Sequence, residues 1–506
     1  MSDTAIARLR QRGEAFLERL SREQYRALAG LEPAPAFQAI YAEFADVHDA
    51  DAVALAREAW ADTPAESEER RRARMLLEWV AETHAGQVLA PLDEVELAWE
   101  ASAVVATADG RRVPYARVAI EVANERDRAE RLRLDAARAA LVTRELAPRR
   151  LERFQREREH VEALEVASGY VATFTALSGI DLPGLAEECA GFLRDTQAMW
   201  DDVLPGFLRQ GLGITPAEAT RADAQALLRM PAYDDAFSAG AMEVTVRNQV
   251  AAMGVDPLAA GRIRYDVGER VGKRARAFCA PVQVPAEVYL VLRPHGGASD
   301  WRTLLHELGH ALHFAYTRPD LPFEYRWAGD HSVTEGYAML LDHLMQDRGW
   351  LLRYTTLGKP RVDEFLRLAA FEELHFVRRY CAKLLYELEL YGGRVPWGSL
   401  PDLYVERLRA ATNFQYHAAD ALVDVDARFY SARYLRAWQL QATLAGALRE
   451  GYDEDWFRNP AAGPWLTREL FGEGQRELAD ELAVRVTGAA LGFAPVVRGI
   501  EERLGG

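Results

Sequence analysis

The residues best equipped for chemistry gather in one stretch, Leu304-Leu-His306-Glu307-Leu-Gly-His310-Ala-Leu-His313. Two imidazoles four residues apart fall on one face of a helix, where they can fill two positions of a tetrahedral Zn2+ site. A carboxylate beside the first can reach a water at that metal. The pattern predicts a zinc-dependent hydrolase with one metal per chain. Six of the chain's 11 histidines lie between His295 and His343, and such clustering favours a site over scattered core residues.

Catalytic zinc sites pair three protein ligands with one open position. Glu335, in Asp330-His-Ser-Val-Thr-Glu335, is the leading third ligand. With Ser332 as N-cap, however, a glutamate three residues on also completes a capping box, and spacing alone leaves both roles open. His331 and Asp342 are rival ligands. Asp342, two turns after Glu335 on the same face, suits a partner that orients a ligating imidazole. His313 lies on roughly the same side as His310 and either supports the cluster or packs beneath it. His295 and His331 are candidates for contacts with substrate or transition state.

These residues need elements to hold them. Ser299 or Asp300 should cap the metal helix, which should run to about Tyr316 and stop before Pro319. Just upstream, Ala286-Glu-Val-Tyr-Leu-Val-Leu-Arg293 is the strongest strand signal, closed by Pro294-His-Gly296-Gly297. As an edge strand it could pair with an extended peptide. As part of a structural hairpin it would only set the helix angle, and both readings stand.

Elsewhere the texture is helical. From Met1 to about Ala90 charged and apolar residues alternate at helical spacing, opening on an amphipathic helix capped by Ser2 or Asp3; the charge cluster Glu68 to Arg74 reads as a solvated helix face. Between Trp99 and Ile120 the pattern turns extended, with Asp109-Gly110 at a hairpin turn. Helices are predicted from about Arg117 to Leu146, from Arg149 to about Leu177, and on to Trp200. Gly206, Gly211, Gly213 and Pro216 suggest a division into an N-terminal helical lobe, 1–210, and a catalytic lobe, 211–506.

At 506 residues and 49% hydrophobic the chain can bury a large core, and its net charge of −16 argues against a nucleic-acid partner. Three dispersed cysteines, Cys189, Cys279 and Cys381, read as ordinary thiols. The opening residues lack a signal-peptide core and no stretch is long enough to span a bilayer, so a cytoplasmic protein with no membrane partner is expected.

The run Arg270-Val-Gly-Lys273-Arg-Ala-Arg-Ala-Phe278-Cys, the strand Val288-Tyr-Leu-Val-Leu and the run Thr303 to His313 resemble, in order and spacing, the thimet oligopeptidase and oligoendopeptidase F family of zinc metallopeptidases. In that family the third ligand is a glutamate twenty-nine residues after the first histidine, where this chain has Glu335. The resemblance therefore implies His306, His310 and Glu335 as ligands and Glu307 as the catalytic carboxylate. It also implies a mainly α, elongated, two-lobed fold with a substrate channel and a small β-sheet beside the metal helix.

Farther on, Phe429-Tyr430-Ser-Ala-Arg433-Tyr434-Leu-Arg-Ala437-Trp438 is similar to the family's tyrosine-rich segment, which implies Tyr434 and Tyr430 as oxyanion donors. Two positions depart from the pattern: Ala437 stands where a third tyrosine is expected and Val425 where a histidine is. Tyr434 in a shifted register, His417 or His331 would then supply the oxyanion contact.

The expected function is hydrolysis of short peptides, with Glu307 as general base. A carboxypeptidase or dipeptidyl-carboxypeptidase is the alternative; it needs a cation for the substrate's terminal carboxylate, for which Arg433, Arg436 and Lys273 are available. A noncatalytic zinc- and peptide-binding protein is the other.

Overall fold

Helices dominate the computed structural model, which describes residues 2–32 and 35–505, the side chains of 2 and 3 excepted. The cap expected of Ser2 or Asp3 thus lies outside the described residues. Among the described residues, five strands form two small sheets: β1 (Val104–Ala106) pairs antiparallel with β2 (Arg112–Pro114), and β3 (Ile263–Asp266), β4 (Phe278–Gln283) and β5 (Glu287–Val291) associate in the order β3-β5-β4. The first pair is the hairpin expected around Asp109-Gly110.

The chain divides into two compact units that interleave along the sequence. One comprises Met1–His84, Pro231–Arg367 and Arg433–Gly506; the other comprises Ala85–Met230 and Leu368–Ala432. Position 210/211 falls inside the helix Gln197–Leu212.

In the first unit, β5 is the central strand, parallel to β3 and antiparallel to β4, with Cys279 opposite Leu290. Of the two readings left open for β5, the hairpin holds, with β4 as its partner, and the edge strand does not. Its Val288, Leu290 and Val291 are buried because helices pack on the sheet, the metal helix against β4 and β5 among them. The opening helix, Ser2–Leu28, packs on the sheet, with Tyr25 stacked 3.8 Å from Tyr289.

The metal helix spans Ala298–Tyr316. Leu304, Leu308, Ala311, Leu312 and Ala315 form its buried stripe, while His306, Glu307 and His310 lie on a half-buried face. Its N-cap is Gly297 rather than Ser299 or Asp300. At φ +88° Gly297 adopts a conformation that side chains resist, and Asp234, from a distant segment, accepts from the Ala298 N–H at 3.2 Å. Asp300 instead accepts from the N–H groups of His295 and Gly296.

The helix His331–Asp342 is buried on nearly every side. Its N-cap is Asp330, which accepts from the Ser332 N–H at 2.8 Å, and not Ser332. The two helices cross in close contact at Gly309.

In the second unit the helix expected from Arg117 to Leu146 is interrupted. Tyr115–Asn124 ends before Asp127, which caps Arg128–Leu141. Pro148 produces no break: it sits in the first turn of Ala147–Ala163, which follows a wide turn at Val142–Leu146. The next predicted helix also stops early, at Ala163, and a new one, Tyr170–Ser178, starts after Gly169 at φ +88°. Stacked rings, Trp200 on Phe371 and Tyr170 on Tyr391, fill this unit's core.

Candidate metal centre

His306 and His310 present their rings one helical turn apart, with centroids 4.9 Å from each other. Glu335 comes to them from the second helix: its Oε2 lies 3.3 Å from His306 Nε2 and 3.8 Å from His310 Nε2. One ligand atom from each of the three lies within 4.8 Å of the others. Ligand atoms bound at about 2.0–2.2 Å in a tetrahedron are roughly 3.3–3.5 Å apart, so the donor set suits zinc and leaves one position open.

The ring nitrogens turned away from this point are also held. His306 Nδ1 is 2.9 Å from Asp342 Oδ2, and His310 Nδ1 is 2.9 Å from Thr334 Oγ1. The other Asp342 oxygen meets His343 Nδ1 at 2.6 Å. A partner on the far nitrogen turns the near one toward a metal with its lone pair available.

Electrostatics favour a cation here. Burial works against a charged His306 ring, yet the carboxylates of Asp342 and Glu335 push it up to about 10. Burial pushes His310 down to about 4, which suits a neutral ligand. Asp342, opposed by burial, is held down to about 2 by the His343 and His306 rings.

Glu307 has a distinct environment. Its Oε2 accepts from the Cys279 N–H of β4 at 2.8 Å, and burial raises its carboxyl above the usual range. A carboxyl raised by burial and aimed beside a metal site can exchange protons.

The other sequence candidates are placed as follows. His313 is fully buried, 3.0 Å from Thr334 Oγ1 through Nδ1. His331 opens the glutamate helix, and its pKa is lowered by burial and by Arg433. His295 is exposed in the turn between β5 and the metal helix.

Arg433 is buried and bonds to Glu78 and to Asp330. Arg436 donates to Gln439, and buried Lys273 to Asp266 and the Gly268 carbonyl. Tyr434 is half-buried in the same unit as the histidines, whereas Tyr430 belongs to the other unit, as does His417, which meets Asp135.

Thr334 and the Cys279 N–H carried no sequence signal of their own, and His343 figured only as the last member of the histidine cluster. A hydroxyl preceding a candidate ligand is common, and a backbone N–H from a neighbouring strand leaves no mark on residue type.

No protein-family model matches the sequence. A stretch of 68 residues, 13% of this chain, is 35% identical to oligoendopeptidase F, chromosomal, of Lactococcus lactis subsp. cremoris, and spans 11% of that protein's length. Among solved structures, the M32 carboxypeptidase from Deinococcus radiodurans R1 is similar over 99% of this chain and 100% of its own, with a TM-score of 0.61 and 15% sequence identity. The chain therefore has the mainly helical fold of that carboxypeptidase.

Proposed function

We propose that the protein is a zinc-dependent metallopeptidase that hydrolyses short peptides. The observation that carries this reading is the convergence of His306, His310 and Glu335 on one point, with Glu307 anchored beside it by the Cys279 N–H. Both similarities, to oligoendopeptidase F and to M32 carboxypeptidase, support it.

When bound by the three ligands, zinc supplies Lewis acidity, which lowers the pKa of water and polarises a carbonyl. Glu307 takes a proton from the attacking water and delivers it to the leaving amine; its raised pKa makes the return easier. Asp342 and Thr334 hold the two imidazoles in orientation. Tyr434 donates to the oxyanion of the tetrahedral intermediate, a contact of about 3–4 kcal/mol if it matches other such donors. β4 offers the sheet edge for an extended peptide in place of β5, since β5 is flanked on both sides.

Removal of residues from a peptide's C-terminus is the second reading, favoured by the likeness to a carboxypeptidase. Against it, Arg433, Arg436 and Lys273 are each engaged with internal partners. Wild-type protein and Glu307→Gln are incubated with a defined nonapeptide, with and without a chelator, and products are read by mass spectrometry. Internal cuts that vanish in the variant and with chelator are expected; stepwise loss from the C-terminus selects the second reading. Equal cleavage under all conditions refutes metal-dependent hydrolysis, and stoichiometric zinc with peptide binding but no product refutes catalysis.

A further inference from the structure

We propose that Thr334 is a positioning residue that fixes the tautomer of His310 through a hydroxyl shared with His313, which makes His313 part of the metal centre without being a ligand. The proposal rests on the metallopeptidase reading above.

The glutamate helix brings Thr334 Oγ1 to 2.9 Å from His310 Nδ1 and 3.0 Å from His313 Nδ1. Two imidazoles therefore compete for one hydroxyl, which has a single proton to donate and lone pairs to accept with. For His310 to offer its Nε2 lone pair to a metal held together with Glu335, its ring proton must be on Nδ1. That proton is then donated to Thr334 Oγ1, so the threonine O–H has only His313 Nδ1 left to serve. His313 must accept there and keep its own proton on Nε2.

The surroundings fit a neutral His313, whose buried Nε2 has no hydrogen-bond partner among the described residues, so Nδ1 is the ring atom that the relay engages. His313 is 0% exposed and packed by the rings of Phe314, Tyr337 and Phe471. A charged ring in such a place is costly, and a neutral ring has one acceptor nitrogen, which the relay places at Nδ1. The direction of the relay is thus set from the His310 end, by the ligand requirement, and His313 Nδ1 receives it. Thr334 stands beside Glu335, so one helical turn carries both a ligand and the group that orients another. A valine there would keep the shape and lose the relay.

The test uses the full-length protein and zinc alone. Affinity is measured by competition with a chromogenic chelator for wild type, Thr334→Val, Thr334→Ser, His313→Leu and the Thr334→Val/His313→Leu double variant. Thr334→Val is expected to weaken zinc binding by about 10- to 100-fold, with Thr334→Ser close to wild type. His313→Leu is expected to weaken it less, and the double variant to be no worse than Thr334→Val, since both changes act on one relay.

In wild-type protein carrying 15N-histidine and loaded with zinc, His310 should show its proton on Nδ1 and His313 on Nε2. Wild-type affinity in Thr334→Val, additive losses in the double variant, or a proton on Nδ1 of His313 overturns the proposal. A merely structural threonine would lower the unfolding midpoint of the zinc-free protein and leave tautomers and affinity unchanged. If Thr334→Val does not fold, Thr334→Ser and the wild-type tautomers still decide. A wild-type protein that binds no zinc refutes the metallopeptidase reading itself, an outcome separate from loss of the relay.

Discussion

Gly309 lies inside the metal helix, between Glu307 and His310, where an alanine would ordinarily favour the helix by up to about 1 kcal/mol. Here the expectation reverses. A Cβ at this position would lie 2.5 Å from Ala338 Cα, 2.7 Å from the Tyr337 carbonyl oxygen and 3.0 Å from the Ala338 nitrogen. All three atoms are backbone of the glutamate helix, so no side-chain rotation relieves the contact. Carbon atoms settle at about 3.5 Å or more, so the two helices must separate by about 1 Å.

Glu335 is three residues from Ala338 and moves with it. Its present separations from the histidine nitrogens, 3.3 and 3.8 Å, would open by a similar amount, to well beyond the roughly 3.3–3.5 Å that a tetrahedral zinc needs. Gly309→Ala should therefore destabilise the fold by about 1–3 kcal/mol and weaken zinc binding by about 10-fold or more. Denaturant unfolding with excess chelator isolates the packing cost, and chelator competition reads affinity. Wild-type zinc affinity in Gly309→Ala would refute the reasoning that this crossing sets the ligand distances.

Three further outcomes are expected. Asp342→Asn, which replaces the carboxylate on His306 Nδ1, should weaken zinc binding by about 10- to 100-fold, measured by the same competition. Arg276 lowers the Glu307 pKa, against the dominant effect of burial; Arg276→Ala should therefore raise it and shift the acid limb of the kcat/KM profile to higher pH.

Glu387, which accepts from the Asp426 N–H, is pushed up to about 8 by burial, so between about pH 4.5 and 8 the unfolded chain has lost this proton and the folded chain has not. Stability should fall with rising pH across that window, by up to about 1.4 kcal/mol per unit. Glu387→Gln should flatten that slope in denaturant midpoints taken at pH 5, 6.5 and 8.

Local patterns carried most of what could be seen without coordinates. The extent of the metal helix, the turn at Asp109-Gly110 and the facing of His306 and His310 depend on residues a few positions apart. The misread features depend on distant partners. Edge strand and hairpin stood open for β5 because its second neighbour, β3, lies more than twenty residues upstream and is only four residues long, while the antiparallel β4 beside it makes the hairpin. The metal helix takes its capping acceptor from Asp234, which no local motif announces. The interleaved units arise because segments far apart in sequence share one core.

Glu335 shows how such a distant contact decides a chemical role. Capping and ligation were open alternatives while Ser332 stood as N-cap, because a capping box would have used the Glu335 carboxylate on backbone N–H groups. With Asp330 as the cap, Glu335 is the fifth helical residue, beyond reach of the unpaired N–H groups of the first turn. Asp330 wins the position because it has more than the helix to serve. Besides the Ser332 N–H it accepts from Arg433 at 3.2 Å and from the Ala479 N–H at 3.0 Å, so three segments share one carboxylate. Glu335, 6% exposed, lies against the two imidazoles, and a buried carboxylate is favoured by a positive partner. A proton on His306 or a metal between the three side chains meets that need, and only the metal uses both histidines.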